Sequence, residues 1–151
     1  MKKIMFVCHG NICRSPMAEF VFKKMVADRG LSDEFFIDSC AVSAEEEGNP
    51  VYPPVRRLLS SLGIDTKGKY AKTLERRDYQ NYDLFLCMDS SNMRGMLRIF
   101  GKDPDNKLKK LLDLTEEKGD VADPYYYGNY DRTYSDIEKG CKALLEYLTT
   151  K

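Results

Sequence analysis

The chain has 151 residues, with 24 basic and 24 acidic side chains, so its formal net charge is zero. That balance offers no electrostatic footprint for nucleic acid or an anionic membrane, and no apolar run approaches the roughly 20 residues that a membrane span needs. The length fits one domain, expected to span residues 1–151, and 42% hydrophobic with 32% charged residues is typical of a soluble globular protein.

Short apolar runs alternate with helical patterns along the chain. In chain order the predicted elements are a strand at 3–8, a helix at 16–28, a strand at 35–42, a helix at 54–62, a strand at 83–88, a helix at 90–100, a candidate fourth strand at 109–112 and a helix at 135–149. In the first helix, Ala18, Val21 and Phe22 recur at helical spacing after Pro16, which suits the first helical position.

This alternation predicts an α/β fold with three layers. We expect a twisted, four-stranded parallel sheet with helices on both faces, of the flavodoxin-like or Rossmann-like kind. Ligands of such sheets bind at the carboxyl ends of the strands, and Cys8 stands at one of those ends. Two polar stretches, 43–54 and 113–134, are long for loops, and long loops in compact domains are often functional.

The segment C-H-G-N-I-C-R-S, residues 8–15, joins a predicted strand to a predicted helix. Its backbone can curl so that N–H groups point inward and form an anion nest, to which the helix start adds further N–H groups. Gly10 and Asn11 are residue types that tolerate the unusual backbone angles of such a curl.

Two side chains of this segment carry reactive chemistry. Arg14 can grip two oxygens of a tetrahedral oxyanion, and Cys8 would lie beneath the nest, where the field favours the thiolate form and the Ser15 hydroxyl can donate to sulfur. A thiolate below a bound phosphate is placed for in-line attack on phosphorus, which gives a phosphocysteine that water then hydrolyses. The alternative for Cys8 is a buried packing residue.

The five cysteines are odd in number and their spacing shows no disulfide framework, which favours a reduced, cytoplasmic compartment. A zinc site at Cys8, His9 and Cys13 lacks ligands, because the chain has one histidine and no second pair at finger spacing. We therefore expect no metal.

The string VCHGNICRSPMAE, with C-x5-R-S inside it, closely resembles the low-molecular-weight protein tyrosine phosphatase family. The resemblance continues at DLFLCMDSSNMR (83–94) and DPYY (123–126), so it spans almost the whole chain. It implies a phosphatase fold, a phosphotyrosine-containing protein or peptide as substrate, no cofactor, and hydrolysis through a phosphocysteine.

The resemblance also implies roles for single residues. Cys8 is the nucleophile, Arg14 binds phosphate and the transition state, and Asp123 is the general acid and then the base. The phosphate-binding loop is completed by His9, Gly10, Asn11, Ile12, Cys13 and Ser15. Family members carry a second loop cysteine that can form a protective disulfide with the nucleophile, which would make Cys13 redox-sensitive; the alternative is a packing residue.

The expected substrate rim consists of Glu45, Tyr125 and Tyr126. Family members usually have an aromatic residue near position 45, so Glu45 predicts weaker stacking on a substrate ring and a rim that disfavours acidic phosphopeptides. Family members often carry a histidine near position 69, where this chain has Lys69, which cannot accept a hydrogen bond. Ser39 and Asp89 match family positions that brace the loop from neighbouring strands.

Other functions on the same scaffold stay open. A protein arginine phosphatase usually has threonine at position 12, where this chain has Ile12, and a thioredoxin-coupled arsenate reductase needs a cysteine at position 94, which is Arg94. A non-catalytic phosphopeptide-binding module is the remaining alternative, and loss of Cys8, Arg14 or Asp123 would be its mark. We expect a monomer or weak dimer.

Overall fold

The structure is a computed structural model that describes residues 1–150, apart from the side chains of Tyr126 and Tyr127. Its centre is a sheet of four parallel strands: β1 (Lys2–Cys8), β2 (Phe35–Ala41), β3 (Leu84–Cys87) and β4 (Leu108–Lys110). The strand order is β2-β1-β3-β4, so β1 and β3 are central and the two other strands form the edges.

Six α-helices connect and follow these strands: α1 (Arg14–Asp28), α2 (Pro53–Ser61), α3 (Asp78–Asn81), α4 (Ser90–Phe100), α5 (Pro124–Tyr127) and α6 (Tyr130–Thr149). Two 3-10 helices cover Ser32–Glu34 and Leu111–Leu114. Within residues 1–150, none of the helices combines the length and the apolar character that crossing a bilayer requires.

The alternation of β1 side chains divides the interior into two apolar layers. Ile4 and Phe6 point to one face, where they join the buried side of α1, α2 and α6. Met5 and Val7 point to the other face, where they meet buried residues of β3 and α4. Helices therefore cover both faces of the sheet, and the predicted α/β architecture is confirmed.

The strand order places the end of β1 at a topological switch point. The chain leaves β1 through α1 to reach β2 on one side, and β3 pairs with β1 on the opposite side. The connections from β1 and β3 thus diverge, which opens a crevice at the carboxyl edge of the sheet. Cys8, the last residue of β1, stands at this crevice.

Several predicted boundaries were wrong, for local reasons. The first helix begins at Arg14 rather than at Pro16, because a proline fits anywhere in a first turn, where its missing N–H has no helical partner. The last helix begins at Tyr130, five residues before the predicted start, because Asn129 accepts a hydrogen bond from the N–H of Arg132 and caps it.

The fourth strand and the short helices also differ from prediction. The strand predicted at 109–112 is Leu108–Lys110, and Leu111 already belongs to a 3-10 helix. The second helix is displaced by one residue from 54–62 to Pro53–Ser61. Part of the stretch predicted as the loop 113–134 is helical, in α5 and the first turn of α6. Such one-turn helices leave too short an apolar pattern to recognise.

Gly140 allows α6 to pack closely against the side chain of Leu111, in the 3-10 helix that follows β4. A Cβ atom at position 140 would lie 2.5 Å from Leu111 Cγ, and both residues are buried. We predict that Gly140→Ala lowers the free energy of unfolding by about 1–2 kcal/mol, because overpacking outweighs the gain in helix propensity. Urea unfolding checks this, with the exposed Lys142→Ala on the same helix as control. A more stable Gly140→Ala would contradict it.

Candidate active site

Residues 8–15 form a tight loop between the end of β1 and the first turn of α1. Asn11 has a φ of 60°, in the left-handed region that asparagine tolerates better than most residues. Gly10 passes so close to Glu46 that an added Cβ would lie 3.1 Å from Glu46 Cγ. These two residues allow the curl that the sequence predicts.

The sulfur of Cys8 lies at the centre of this loop and receives several donors. The backbone N–H groups of Asn11 and Ser15 donate to it at 3.3 and 3.4 Å, and Ser15 Oγ lies 3.0 Å from it. Asn11 Nδ2 donates to Ser15 Oγ at 2.8 Å, so Ser15 uses its own hydroxyl hydrogen as a donor, either to the sulfur at 3.0 Å or to the Cys40 carbonyl at 3.4 Å. Donors directed at sulfur stabilise the thiolate, which is the nucleophilic form of cysteine.

Asn11 fixes the loop to its surroundings as well as to Ser15. Its Nδ2 group donates to Ser39 Oγ at 3.0 Å, and its Oδ1 accepts from the N–H of Lys72 at 3.1 Å. Asn11 and Ser39 are almost fully buried. The left-handed residue of the loop is therefore held by a side-chain network rather than left to solvent.

Arg14 is a buried cation, 2% exposed, at the start of α1. Its Nη1 donates to Asp89 Oδ2 at 2.7 Å and to the Val121 carbonyl at 2.8 Å, which fixes one edge of the guanidinium. Burial alone would lower the pKa of Arg14, but the negative charges of Cys8, Asp89 and Asp123 outweigh it and raise the pKa. Arg14 is thus a permanent, oriented positive charge.

Asp123 approaches this cation from a separate segment. Its Oδ2 lies 3.5 Å from Arg14 Nη2, and its Oδ1 accepts a hydrogen bond from the N–H of Tyr125 at 3.0 Å. The second contact caps the one-turn helix α5 and sets the direction of the carboxyl group. A carboxyl held in this way can exchange a proton with a group bound above Cys8.

These groups meet in a cavity of about 270 Å³ at the carboxyl edge of the sheet. The cavity is lined by Cys8, His9, Gly10, Ile12, Cys13, Arg14, Glu45, Glu46, Asp123 and Tyr125. The structure therefore brings most of the predicted site residues together. Asn11 and Ser15 lie behind them as supports, and the side chain of Tyr126 is outside the described part of the chain.

The outer rim of the cavity carries charge. His9 Nε2 lies 3.3 Å from Glu45 Oε2, and both side chains are about half exposed or more. Glu46 lines the cavity beside them and accepts a hydrogen bond from Asn49. Position 45 thus contributes an acidic side chain to the mouth of the cavity.

Cys13 lines the same cavity as Cys8, and both are free thiols. Burial raises the pKa of Cys13, and the charges of Cys8 and Asp123 raise it further. Cys13 is therefore protonated at neutral pH and is not an alternative nucleophile. A disulfide between Cys8 and Cys13 under oxidation stays a prediction.

A buried group of charges lies behind the loop and includes Lys69. Ser39 Oγ donates to Glu19 Oε1 at 2.5 Å, and Lys69 Nζ lies 3.1 Å from the same oxygen. Lys69 also donates to Asp38 Oδ1 at 3.2 Å and to the Ser39 carbonyl at 2.9 Å. Lys69 therefore supports the loop as a cation and hydrogen-bond donor to two acidic side chains, Glu19 and Asp38.

We predict that Lys69→Met lowers the free energy of unfolding by about 1–3 kcal/mol, because Glu19, 3% exposed, loses its buried cation and keeps, among the described cations, only the more exposed Lys23, at 2.6 Å. Urea unfolding measures this loss. The control is Lys24→Met, since Lys24 pairs with Asp28 at 3.5 Å on the exposed side of α1 and contributes less than about 1 kcal/mol. Equal losses of unfolding free energy in Lys69→Met and Lys24→Met would show that Lys69 stabilises the fold no more than an exposed lysine does.

Sequence reasoning missed several residues of this region: Glu19, Tyr52 and the carbonyl of Val121. The sequence could have indicated Glu19, because a carboxylate between Ala18 and Val21 lies beside the apolar face of the predicted helix, where a buried charge needs a partner. The backbone carbonyl of Val121 left no signal, since any residue supplies such an acceptor.

The comparisons with known proteins agree with this geometry. The family model described as "Low molecular weight phosphotyrosine protein phosphatase" matches residues 3–151. Low molecular weight protein-tyrosine-phosphatase YfkJ of Bacillus subtilis is 35% identical over 147 residues, covering 96% of this chain and 94% of YfkJ. The low molecular weight phosphotyrosine protein phosphatase of Gallus gallus is 38% identical over 151 residues, covering 97% and 95%.

Solved structures show the same similarity. The crystal structure of YfkJ superposes with a TM-score of 0.95, covering 98% of this chain and 94% of that one. The crystal structure of a Drosophila arginine phosphatase gives a TM-score of 0.88 at 27% identity, covering 100% and 99%. The chain belongs to the low molecular weight phosphotyrosine protein phosphatase family. The predicted enzyme class, a protein-tyrosine-phosphatase, is confirmed at that level.

Proposed function

We propose that this enzyme hydrolyses phosphotyrosine in proteins and peptides, as well as small aryl phosphates, through a phosphocysteine on Cys8. One observation carries the proposal. The Cys8 sulfur, with N–H donors from Asn11 and Ser15, lies in a cavity that is also lined by the buried Arg14 and the partly exposed Asp123. Nucleophile, cation and proton donor are then within reach of a single phosphate group.

The reaction has two steps. In the first, the Cys8 thiolate attacks phosphorus, the bond from phosphorus to the tyrosine oxygen breaks, and Asp123 gives its proton to the leaving oxygen. In the second, water attacks the phosphocysteine, Asp123 takes up a proton from that water, and the S–P bond breaks to release phosphate and the thiolate. Neither step requires a metal or a cofactor.

The phosphate is held in both steps by the loop. The side chain of Cys13, the N-cap residue of α1, makes no capping hydrogen bond, so backbone N–H groups at this helix start can donate to a phosphate oxygen. Arg14 supplies a fixed positive charge, since Asp89 and Val121 hold its other edge. Groups oriented before the substrate arrives stabilise the charge of the transition state without reorganising.

A panel of phosphotyrosine, phosphoarginine and phosphoserine peptides tests the substrate class. We expect phosphotyrosine to have the highest kcat/KM, with vanadate as an inhibitor. Preference for phosphoarginine would favour the second candidate function, which the similarity to the Drosophila arginine phosphatase keeps open. The branched apolar Ile12 in the cavity lining argues against it, because it offers no hydroxyl to a guanidine group.

We predict that Glu45→Tyr lowers KM for aryl phosphates by about two- to tenfold, because an aromatic pair adds roughly 0.5–1.5 kcal/mol. Glu45 lines the cavity and pairs only with exposed His9 among its described charged neighbours. Steady-state kinetics checks this, and Glu47→Tyr, at an exposed position outside the cavity lining, is the matched control. An unchanged KM in Glu45→Tyr would contradict the assigned role of position 45.

We further propose that residues 1–151 form a single domain that works in the cytoplasm as a monomer or weak dimer, with phosphoproteins as its partners. The five free cysteines support a reduced compartment.

A further inference from the structure

Tyr52 lies outside the phosphate-binding loop and the predicted rim, yet its backbone is attached to the loop. Its N–H donates to the carbonyl of Ile12 at 2.9 Å. Pro53 and Pro54 follow directly at the start of α2, and their rings restrict the backbone after Tyr52. The position of Tyr52 is therefore fixed relative to the floor of the cavity.

The ring of Tyr52 contacts the segment that carries Asp123. The ring centroids of Tyr52 and Tyr125 are 5.5 Å apart with their planes at 57°, within the range of favourable aromatic pairs. Tyr52 is half-buried against the core cluster that contains Ile12 and Val55. It can thus act as a rigid backing for Tyr125, which is 56% exposed.

The core cluster behind Tyr52 also contacts a third tyrosine. Tyr130, at the start of α6, packs partly buried against the same core cluster. Burial raises the pKa of Tyr130, and the charges of Cys13, Tyr52 and Asp123 raise it further. The Tyr52–Tyr125 ring contact and the packing of Tyr130 on the same cluster bring the start of α2 and the segment 123–130 together beside the cavity.

This contact is important because Tyr125 carries the aromatic surface of the cavity. Among the described lining residues, Tyr125 is the one with a phenol ring, and position 45 supplies a carboxylate. Tyr125 also donates its N–H to Asp123, so a displaced Tyr125 would disturb the carboxyl group as well. The contact between the rings of Tyr52 and Tyr125 therefore affects both the aromatic wall of the cavity and the position of Asp123.

We propose that Tyr52 is a positioning residue for aryl substrates: its ring holds Tyr125 as the aromatic wall of the cavity and keeps the Asp123 segment against the phosphate-binding loop. The proposal rests on the proposed function, because it assumes an aryl phosphate substrate whose ring packs against the ring of Tyr125. Tyr52 does not contact the phosphate and takes no part in proton transfer.

The test measures KM, kcat and inhibition by inorganic phosphate in Tyr52→Ala, Tyr52→Phe and Tyr125→Ala. We expect Tyr52→Ala to raise KM for phosphotyrosine peptides by roughly two- to tenfold, the size of an aromatic pair, and to leave inhibition by phosphate unchanged. Tyr52→Phe keeps the ring and should restore KM. Tyr147→Ala, at a tyrosine 53% exposed on α6, is the matched control.

A double variant separates positioning from a general loss of structure. If Tyr52 acts through Tyr125, the Tyr52→Ala/Tyr125→Ala enzyme should have a KM no higher than the worse single variant. Additive effects, an unchanged KM in Tyr52→Ala, or a weakened inhibition by phosphate would each overturn the proposal. Failure of the unsubstituted enzyme to hydrolyse any aryl phosphate would instead contradict the proposed function.

Discussion

Cys8→Ser should lower kcat for p-nitrophenyl phosphate by more than about a thousandfold, because a serine hydroxyl is a far weaker acid than a thiol and, without a general base beside it, a far weaker nucleophile. The substitution leaves the backbone donors of Asn11 and Ser15 and the Arg14 cation in place. Binding of vanadate or phosphate should therefore persist. Steady-state kinetics and calorimetric titration with phosphate measure the two properties separately.

The matched control for this prediction is Cys87→Ser. Cys87 is also a buried thiol at the end of a central strand, but burial raises its pKa to about 12 and it does not line the cavity. Its thiol donates weakly to the Asp89 carbonyl, a contact that a hydroxyl can reproduce. Turnover that survives in Cys8→Ser would remove Cys8 as the nucleophile and require another catalytic mechanism. Absence of turnover in the unsubstituted protein would instead favour the phosphopeptide-binding module.

Asp123→Asn should lower kcat for phenyl phosphate by about 10²–10⁴-fold, the usual contribution of a general acid. The loss for p-nitrophenyl phosphate should be smaller, because nitrophenolate leaves without protonation. Asparagine retains an oxygen that can accept from the N–H of Tyr125, so the local fold should be preserved. A series of aryl phosphates with different leaving groups gives the dependence directly.

Asp120→Asn is the control for the acid. Asp120 is a neighbouring carboxylate that pairs with Lys110 at 3.0 Å and does not line the cavity. It should show wild-type dependence on the leaving group. An equal loss for all leaving groups in Asp123→Asn would mean that Asp123 acts through Arg14 or the loop rather than as the proton donor.

The central architecture could be predicted because it depends on strong local patterns. The run before Cys8 is uniformly apolar, and the helical spacing of Ala18, Val21 and Phe22 directs one face of α1 inward. Parallel pairing then follows from the alternation of strands and helices. The order of strands around β1 depends on tertiary packing and left no local signal.

From local sequence alone, only those site residues could be predicted that lie close together in the chain. Cys8, Arg14 and Ser15 lie within one loop, so their spacing carries the information. Asp123 was found through the resemblance, because an Asp-Pro pair alone indicates only a turn. The Lys69 contacts and the ring of Tyr52 depend on segments more than thirty residues from the loop, and no local pattern reports such contacts.

The central claim is that phosphate is transferred to the sulfur of Cys8. Rapid acid quenching of the enzyme during turnover of an isotopically labelled aryl phosphate, followed by peptide mass spectrometry, tests it directly. The labelled phosphate should be found on Cys8, and Asp123→Asn should not move it to another residue. Label on Cys13 or His9, or turnover at full rate with no covalent phosphate on the enzyme, would contradict the account.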